Sequence, residues 1–121
     1  MDELLENAKR ASSFLKALAN ENRLVILCCL AEGERNVSEL EALLGIRQPS
    51  LSQQLARLRS DKLVSTRRAS KQIYYSLASE EAKRMVELLY DMFCAESNSE
   101  HKPVLEVITK RIPGVSLPKQ N

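Results

Sequence analysis

The sequence has no tryptophan, only three glycines and a single histidine, His101. An enzyme that used Cys94 as its nucleophile would need a histidine base, but His101 lies in the C-terminal tail. A nucleotide-using enzyme would need a glycine-rich phosphate loop, and the sequence contains none. No apolar run approaches the ~20 residues that span a bilayer, and the acidic start of the chain lacks the basic residues of a signal peptide. We therefore expect a cytoplasmic protein that is not an enzyme and has no contact with a membrane.

Positive charge is most concentrated in one segment of the chain. Residues 47–71 carry seven Lys or Arg and one acid, Asp61, so the segment has a net charge of +6 in a chain of net charge +2. Residues 1–46 hold five basic and eight acidic side chains, and residues 80–100 hold two and six. This concentration indicates a face that binds nucleic acid, and a merely solvated basic face is the alternative on charge alone.

Apolar residues at helical spacing predict two N-terminal helices of different character. The first helix has a narrow apolar stripe of the kind that packs on a partner, formed by Leu4, Ala8, Ala11, Leu15 and Leu18. Asn20 is a suitable cap for a second helix over residues 21–31. The segment LVILCCL of this helix places apolar side chains on nearly all of its sides. We expect the second helix to be the buried centre of the domain.

Two short helices with a tight turn between them form a predicted helix-turn-helix. Asn36 and Glu39 have the spacing of a capping box that opens the third helix, and Gly45 ends it. Pro49 suits the first turn of a fourth helix that runs to about Ser60. The inner face of this helix is formed by Leu51, Leu55 and Leu58.

Alternation of inward and polar positions predicts a two-stranded hairpin, or wing, after the fourth helix. The inward positions lie on either side of residues 69–71 and are Val64, Thr66, Ile73, Tyr75 and Leu77.

Ser79 is the expected cap of a last helix. The apolar face of this helix is too broad for one small core and comprises Ala82, Met85, Val86, Leu88, Leu89, Met92 and Phe93.

These elements define one domain, residues 1–96, followed by a C-terminal tail, residues 97–121. Pro103, Pro113 and Pro118 interrupt any long helix in the tail, so we expect it to be flexible, with a short strand or helix segment over residues 104–108 as the alternative. A chain of 121 residues buries only about two-thirds of its unfolded surface, which favours a dimer. The predicted fold is mainly α with a small β-hairpin: a winged helix-turn-helix that forms a homodimer through its first and last helices.

The side of the fourth helix opposite the leucines predicts contacts with DNA. At 100° per residue, Ser50, Gln53 and Arg57 lie on that side, with Ser52 at its flank. Gln pairs with adenine, Ser with several base edges, and Arg with guanine or phosphate. The wing would supply phosphate contacts from Arg67, Arg68 and Lys71. Two-fold symmetry then predicts a pseudo-palindromic site in double-stranded DNA. A winged-helix module that binds only proteins is the alternative.

Three phrases of the chain, LKALANENRLVIL, QPSLSQQLARLRSDKLV and KQIYYSL, resemble the ArsR/SmtB winged-helix repressors over roughly residues 8–95. The resemblance implies that Gln48, Ser50, Ser52 and Gln53 read the operator, with Gln54 where many members have His. Family members that sense metals bind them in one of two ways. Some use Cys pairs at the start of the third helix, which is formed by residues 37–40 in this chain, and others use Asp and His side chains on the last helix. Neither set is present, so we expect no metal site and no cofactor.

Cysteine is the remaining candidate for a sensing group. Three cysteines in a reducing compartment predict free thiols rather than a disulfide framework. Cys28 and Cys94 resemble the two cysteines of the sulfide- and persulfide-responsive BigR/SqrR-type repressors and of the related activator-like HlyU. The resemblance implies that a reactive sulfur species is the inducer and that a bridge between these sensor thiols releases DNA. A general redox sensor for peroxide or disulfide stress is the alternative, and Cys29 takes no role from the resemblance.

Overall fold

The structure, a computed structural model, describes residues 1–94, which form five helices and a small three-stranded antiparallel sheet. The elements in chain order are α1 (Asp2–Leu18), α2 (Glu21–Glu32), β1 (Arg35–Asn36), α3 (Val37–Leu44), α4 (Ser50–Ser60), β2 (Val64–Ala69), β3 (Gln72–Leu77) and α5 (Glu80–Phe93). The predicted domain boundary at residue 96, the tail and its segment 104–108 lie outside the described residues. No helix in the described part is long and apolar enough to cross a membrane.

Helix α2 is the central element of the core, as its composition predicts. The Asn20 side chain accepts a hydrogen bond from the Arg23 backbone N–H at 3.1 Å and so caps the helix. Ile26, Leu27 and Cys29 are fully buried, and α2 packs against α3, α4 and α5. Helix α2 therefore contacts both α4 and α5, which do not otherwise have to meet.

The helix-turn-helix is held by the local signals found in the sequence. The Asn36 side chain accepts from the Glu39 N–H at 2.8 Å, and the Glu39 carboxylate accepts from the Asn36 N–H at 3.0 Å. Gly45 ends α3 at a φ of +69°, a left-handed conformation that glycine adopts without steric cost. The inner face of α4 is completely buried, through Leu51, Leu55 and Leu58. This burial fixes which side of α4 faces solvent.

The wing differs from its predicted form in two respects. The two-residue β1 pairs with β3, opposite Tyr75 and Tyr74, so the sheet has three strands in the order β1-β3-β2 rather than two. Two residues are too few to show alternation, and the strand forms because β3 offers a partner far along the chain. Ile73 is 45% exposed rather than inward, because it lies near the tip of the hairpin, away from the core.

The loop of the wing contains only Ser70 and Lys71, between Ala69 and Gln72. Both residues have positive φ, +51° and +68°, which is the pattern of a type I′ turn. This turn matches the twist of the two strands, and it places Lys71 at the exposed tip of the hairpin. The wing therefore presents a cation at its end.

Two helices carry apolar side chains that are exposed among residues 1–94. The Ser79 hydroxyl caps α5 by accepting from the Ala82 N–H at 3.0 Å, and the buried side of α5 carries Val86 and Tyr90. The other side exposes Leu88, Met92 and Phe93 at 51%, 62% and 69%. Helix α1 buries only Ala17 and Leu18 and exposes Leu4, Leu5 and Leu15. Apolar surface of this extent on a small domain indicates contact with another protein surface.

Candidate nucleic-acid interface and thiol pair

The solvent side of α4 carries the polar residues predicted from helical periodicity. Ser52, Gln53 and Arg57 are exposed, and Ser50 is half-buried at the first turn. Gln48 is exposed just before the helix, and its side-chain oxygen accepts from the Ser52 N–H at 3.1 Å and from the Ser52 hydroxyl. Because Pro49 has no capping side chain, Gln48 satisfies a free N–H at the start of α4. Its amide NH₂ remains as a donor at the entrance of the helix.

Arg57 forms an ion pair along the helix. Its Nε lies 2.8 Å from a carboxylate oxygen of Asp61, one turn further on, at the surface. Exposed pairs of this kind contribute about 0.3–0.5 kcal/mol, so they break at little cost when a stronger anion such as phosphate approaches. The pair uses Nε and leaves the terminal N–H groups of the guanidinium as donors for guanine or phosphate.

Gln54 lies differently from its neighbours on α4. It is half-buried, and its side-chain oxygen accepts from Nη1 of Arg23 on α2 at 3.2 Å. The sequence contains no signal for this contact, because the two residues are 31 positions apart. A contact between Gln54 and DNA, implied by the family resemblance, stays a prediction.

Arg67 is the cation of the wing that is paired with a carboxylate. Its Nε and Nη2 donate to the two carboxylate oxygens of Glu34 at 2.7 and 2.6 Å, and its guanidinium stands 4.8 Å from the centre of the Tyr74 ring. This two-point pairing holds the pKa of Glu34 below its ordinary value, mainly through the hydrogen bond. It also ties the wing to the segment that precedes β1. Sequence reasoning placed Arg67 on the phosphates and missed Glu34, 33 positions away.

Arg68 and Lys71 complete the cations of the wing. Arg68 follows Arg67 on β2 and therefore points to the opposite face of the sheet. Both Arg68 and Lys71 are exposed. The structure thus keeps the three predicted cations on one hairpin but divides them between two faces and the tip.

Release of Arg67 from Glu34 gives a testable prediction. Glu34→Gln removes the carboxylate and one negative charge, so the guanidinium becomes available to a phosphate. We expect the variant to bind any duplex DNA more tightly, because Arg67 then reaches a phosphate without first breaking its pair with Glu34. We expect Arg67→Gln to make the slope of log affinity against log salt shallower by about 0.9, equivalent to one lost phosphate contact. Glu87→Gln, which removes an exposed acid from α5, is the control. An unchanged slope in Arg67→Gln would contradict a phosphate contact by Arg67.

Cys28 and Cys94 are brought together by the packing of α5 on α2. Cys28 is half-buried on α2, and Cys94 is half-buried at the carboxyl end of α5, where its N–H donates to the Tyr90 carbonyl at 2.8 Å. Burial, then the charge of Cys94, then that of Cys29, raise the pKa of Cys28 to about 11. The two thiols, 66 positions apart in the chain, therefore lie within electrostatic range of each other.

Cys29 faces a different part of the domain. It is fully buried, and burial raises the pKa of its thiol to about 11, although the charge and a hydrogen bond of Arg35 oppose this shift. Its position is that of a small core residue rather than of an accessible thiol. Within residues 1–94, no group of three or more His, Cys, Asp or Glu side chains is arranged to hold a metal ion.

The helix-turn-helix, the exposed polar side of α4 and the cationic hairpin together define a winged-helix DNA-binding protein. Residues 20–66 match the family described as "Bacterial regulatory protein, arsR family". The chain is 52% identical over 90 residues to the biofilm growth-associated repressor of Agrobacterium fabrum, an alignment that covers 74% of this chain and 77% of that protein. The chain belongs to the ArsR family and is a DNA-binding transcriptional regulator.

Two solved structures agree closely with this fold. Reduced HlyU from Vibrio cholerae is 45% identical with a TM-score of 0.75, and the match covers 78% of this chain and all of that one. The transcriptional repressor BigR from Xylella fastidiosa is 44% identical with a TM-score of 0.73, and the match covers 78% of this chain and 97% of that one. The predicted resemblance to the ArsR/SmtB repressors, and among them to BigR and HlyU, is confirmed.

Proposed function

We propose that this protein is a homodimeric cytoplasmic repressor that senses reactive sulfur species through Cys28 and Cys94 and releases its operator when the two thiols become linked. The observation that carries the proposal is the proximity of two half-buried thiols on separate helices, α2 and α5. Helix α2 also packs on α4, so a bridge would join the thiol pair to the helix that reads DNA.

Binding to the operator uses the two surfaces described above. Helix α4 enters the major groove and presents Ser52, Gln53 and Arg57, with Ser50 at its first turn and Gln48 just before it. Arg68 and Lys71 contact the phosphates from the wing, and Arg67 joins them when it leaves Glu34. In a two-fold dimer, these contacts repeat on a pseudo-palindromic operator whose half-sites are about one or two helical turns apart.

The dimer covers the apolar faces of α1 and α5. Leu4, Leu5 and Leu15 on α1 and Leu88 and Met92 on α5 are all more than half exposed in the single chain. Burial of such side chains stabilises by about 1.5–3 kcal/mol each when it is complete. A second copy of the chain offers the same two faces, so an isologous pairing covers both at once.

The sensing reaction requires a sulfur donor and two thiols. The Cys94 thiolate attacks a terminal sulfur of an inorganic polysulfide, the S–S bond of the polysulfide breaks, and the shortened polysulfide leaves with the electron pair. Cys94 then carries a persulfide. The Cys28 thiolate attacks Sγ of Cys94, a disulfide forms, and hydrosulfide leaves. Two thiols have been oxidised and one polysulfide S–S bond has been reduced. Where Cys94 instead attacks an inner sulfur of the polysulfide and carries two added sulfurs, attack by Cys28 on the first of them expels the second as hydrosulfide and leaves a trisulfide bridge.

The raised pKa of Cys28 makes the second step depend on pH. A thiol of pKa about 11 is almost entirely protonated at neutral pH. As long as the pH stays below that pKa, each increase of one pH unit raises the thiolate fraction about tenfold. We expect the rate at which the Cys94 persulfide closes to a bridge to rise about tenfold per unit between about pH 7 and pH 9. Acid quenching followed by mass spectrometry measures this rate. A rate that is constant over this interval would contradict attack by the Cys28 thiolate.

Fluorescence anisotropy with operator DNA tests the function as a whole. Reduced protein is expected to bind, and polysulfide to release it, together with a linked peptide pair of Cys28 and Cys94 in the mass spectrum. Peroxide and zinc are the comparison treatments. Equal release by peroxide would replace the reactive-sulfur sensor by a general thiol redox sensor. In that sensor peroxide oxidises one thiol to a sulfenic acid and is reduced to water, and the second thiol attacks the sulfenic sulfur, so that the disulfide forms and a second water leaves. Release by zinc would overturn the sensing mechanism.

A further inference from the structure

The guanidinium of Arg23 connects three helices. It stands in the first turn of α2, and its Nε and Nη2 donate to the backbone carbonyls of Ala17 and Lys16 at 2.6 and 3.1 Å. Its Nη1 donates to the side-chain oxygen of Gln54 on α4 at 3.2 Å. One side chain thus joins the end of α1 to the middle of α4.

The two carbonyls belong to the last turn of α1, which ends at Leu18. Carbonyls in the last turn of a helix lack the usual partner four residues further on, and a cation there is also favoured by the helix dipole. Arg23 therefore stabilises the end of α1 at a defined place. Together with the burial of Ala17 and Leu18, this anchor determines where α1 leaves the domain, since residues 2–13 of the helix are all exposed.

We propose that Arg23 is a positioning residue that sets the orientation of α4 relative to α1, and that Gln54 is its partner rather than a residue that reads DNA. The inference rests on the proposed function, in which α4 reads the operator and α1 lies in the dimer interface. Because the two α4 helices of a dimer must meet half-sites at a fixed spacing, the angle between α1 and α4 in each subunit determines the fit.

The chemistry explains why arginine occupies this position. The planar guanidinium donates in several fixed directions, so it can hold two carbonyls and one amide oxygen at the same time. Lysine has the charge but a compact ammonium group, which cannot span the same three acceptors. A glutamate at position 54 would still accept from Arg23 and would form a charge-assisted bond, whereas a leucine would not.

Substitution of Gln54 distinguishes a partner of Arg23 from a residue that contacts DNA. Gln54→Glu is expected to keep operator affinity within about twofold of wild type, because the bond to Arg23 is preserved. Gln54→Leu and Arg23→Lys are expected to lose roughly tenfold in operator affinity. Their affinity for random duplex and their salt slope should be unchanged, because no phosphate contact is lost. Gln53→Glu on the exposed side of α4 is the matched control: its carboxylate faces the DNA, so it should lower affinity for operator and random duplex alike.

The opposite pattern would overturn the inference. If Gln54 faces DNA, the carboxylate of Gln54→Glu is repelled by the phosphates and this variant loses more affinity than Gln54→Leu. A double-mutant cycle of Arg23→Lys and Gln54→Leu, measured by thermal unfolding without DNA, tests the contact separately. No coupling in that cycle would also overturn it. Failure of the wild-type protein to bind any operator would instead reject the proposed function, and the unfolding cycle would still decide the Arg23–Gln54 contact.

Discussion

Replacement of Cys94 by serine will abolish the release of operator DNA by polysulfide, while the reduced variant binds the operator as tightly as the wild-type protein. Serine has nearly the size of cysteine, and Cys94 is half-buried at the carboxyl end of α5. Without its thiol, no bridge to Cys28 forms. For the wild-type protein, we expect polysulfide to lower operator affinity by roughly 5–150-fold, the range that allosteric coupling of about 1–3 kcal/mol produces.

Anisotropy titrations before and after polysulfide treatment measure this effect. Cys28→Ser should behave in the same way as Cys94→Ser, because either thiol is required for the bridge. Cys29→Ala is the matched control: it removes the adjacent buried thiol of α2 and should respond to polysulfide as the wild-type protein does. A Cys94→Ser protein that polysulfide still releases would show that the bridge is not the signal.

Replacement of Leu88 by glutamate will convert the protein to a monomer and remove most of its operator affinity. Leu88 is 51% exposed on the face of α5 that also carries Met92, and burial of a carboxylate in an apolar interface is strongly unfavourable. The two half-sites are then bound independently. Loss of this linkage lowers the apparent affinity by about 10²–10⁴-fold.

Sedimentation equilibrium measures the oligomeric state, and anisotropy measures the binding of operator. Leu88→Met keeps an apolar side chain of similar volume and should remain dimeric with normal affinity. Because the substituted side chain is exposed in the single chain, circular dichroism of Leu88→Glu should show the helix content of the wild-type protein. A dimeric Leu88→Glu protein would place the interface elsewhere on the surface.

The boundaries of the helices followed from signals that act over three or four residues. Asn20, the Asn36 and Glu39 box and Ser79 all bond the backbone sites for which they were predicted. Gly45 ends α3 with positive φ. Such bonds are local, so their donors and acceptors are adjacent in the sequence, and the inward leucines of α4 follow equally from the helical repeat.

Contacts between distant residues could not be predicted in this way. The β1 strand has only two residues and exists because β3 lies beside it. The pairing of Arg67 with Glu34 and the contact of Arg23 with Gln54 link positions more than 30 apart. Charge counting treats Arg67 and Arg68 as equivalent, whereas the geometry of the strands gives one of them a carboxylate partner.

Residue periodicity and helix caps were therefore sufficient to order five helices and a wing, and the fold class predicted from them is confirmed by the structure. The side of α4 that faces solvent was also readable, since a helix that buries three leucines must expose the opposite side. The proximity of Cys28 to Cys94 required the packing of α5 on α2. Residues separated by tens of positions meet only when whole elements pack, because the positions of their helices depend on the core as a unit.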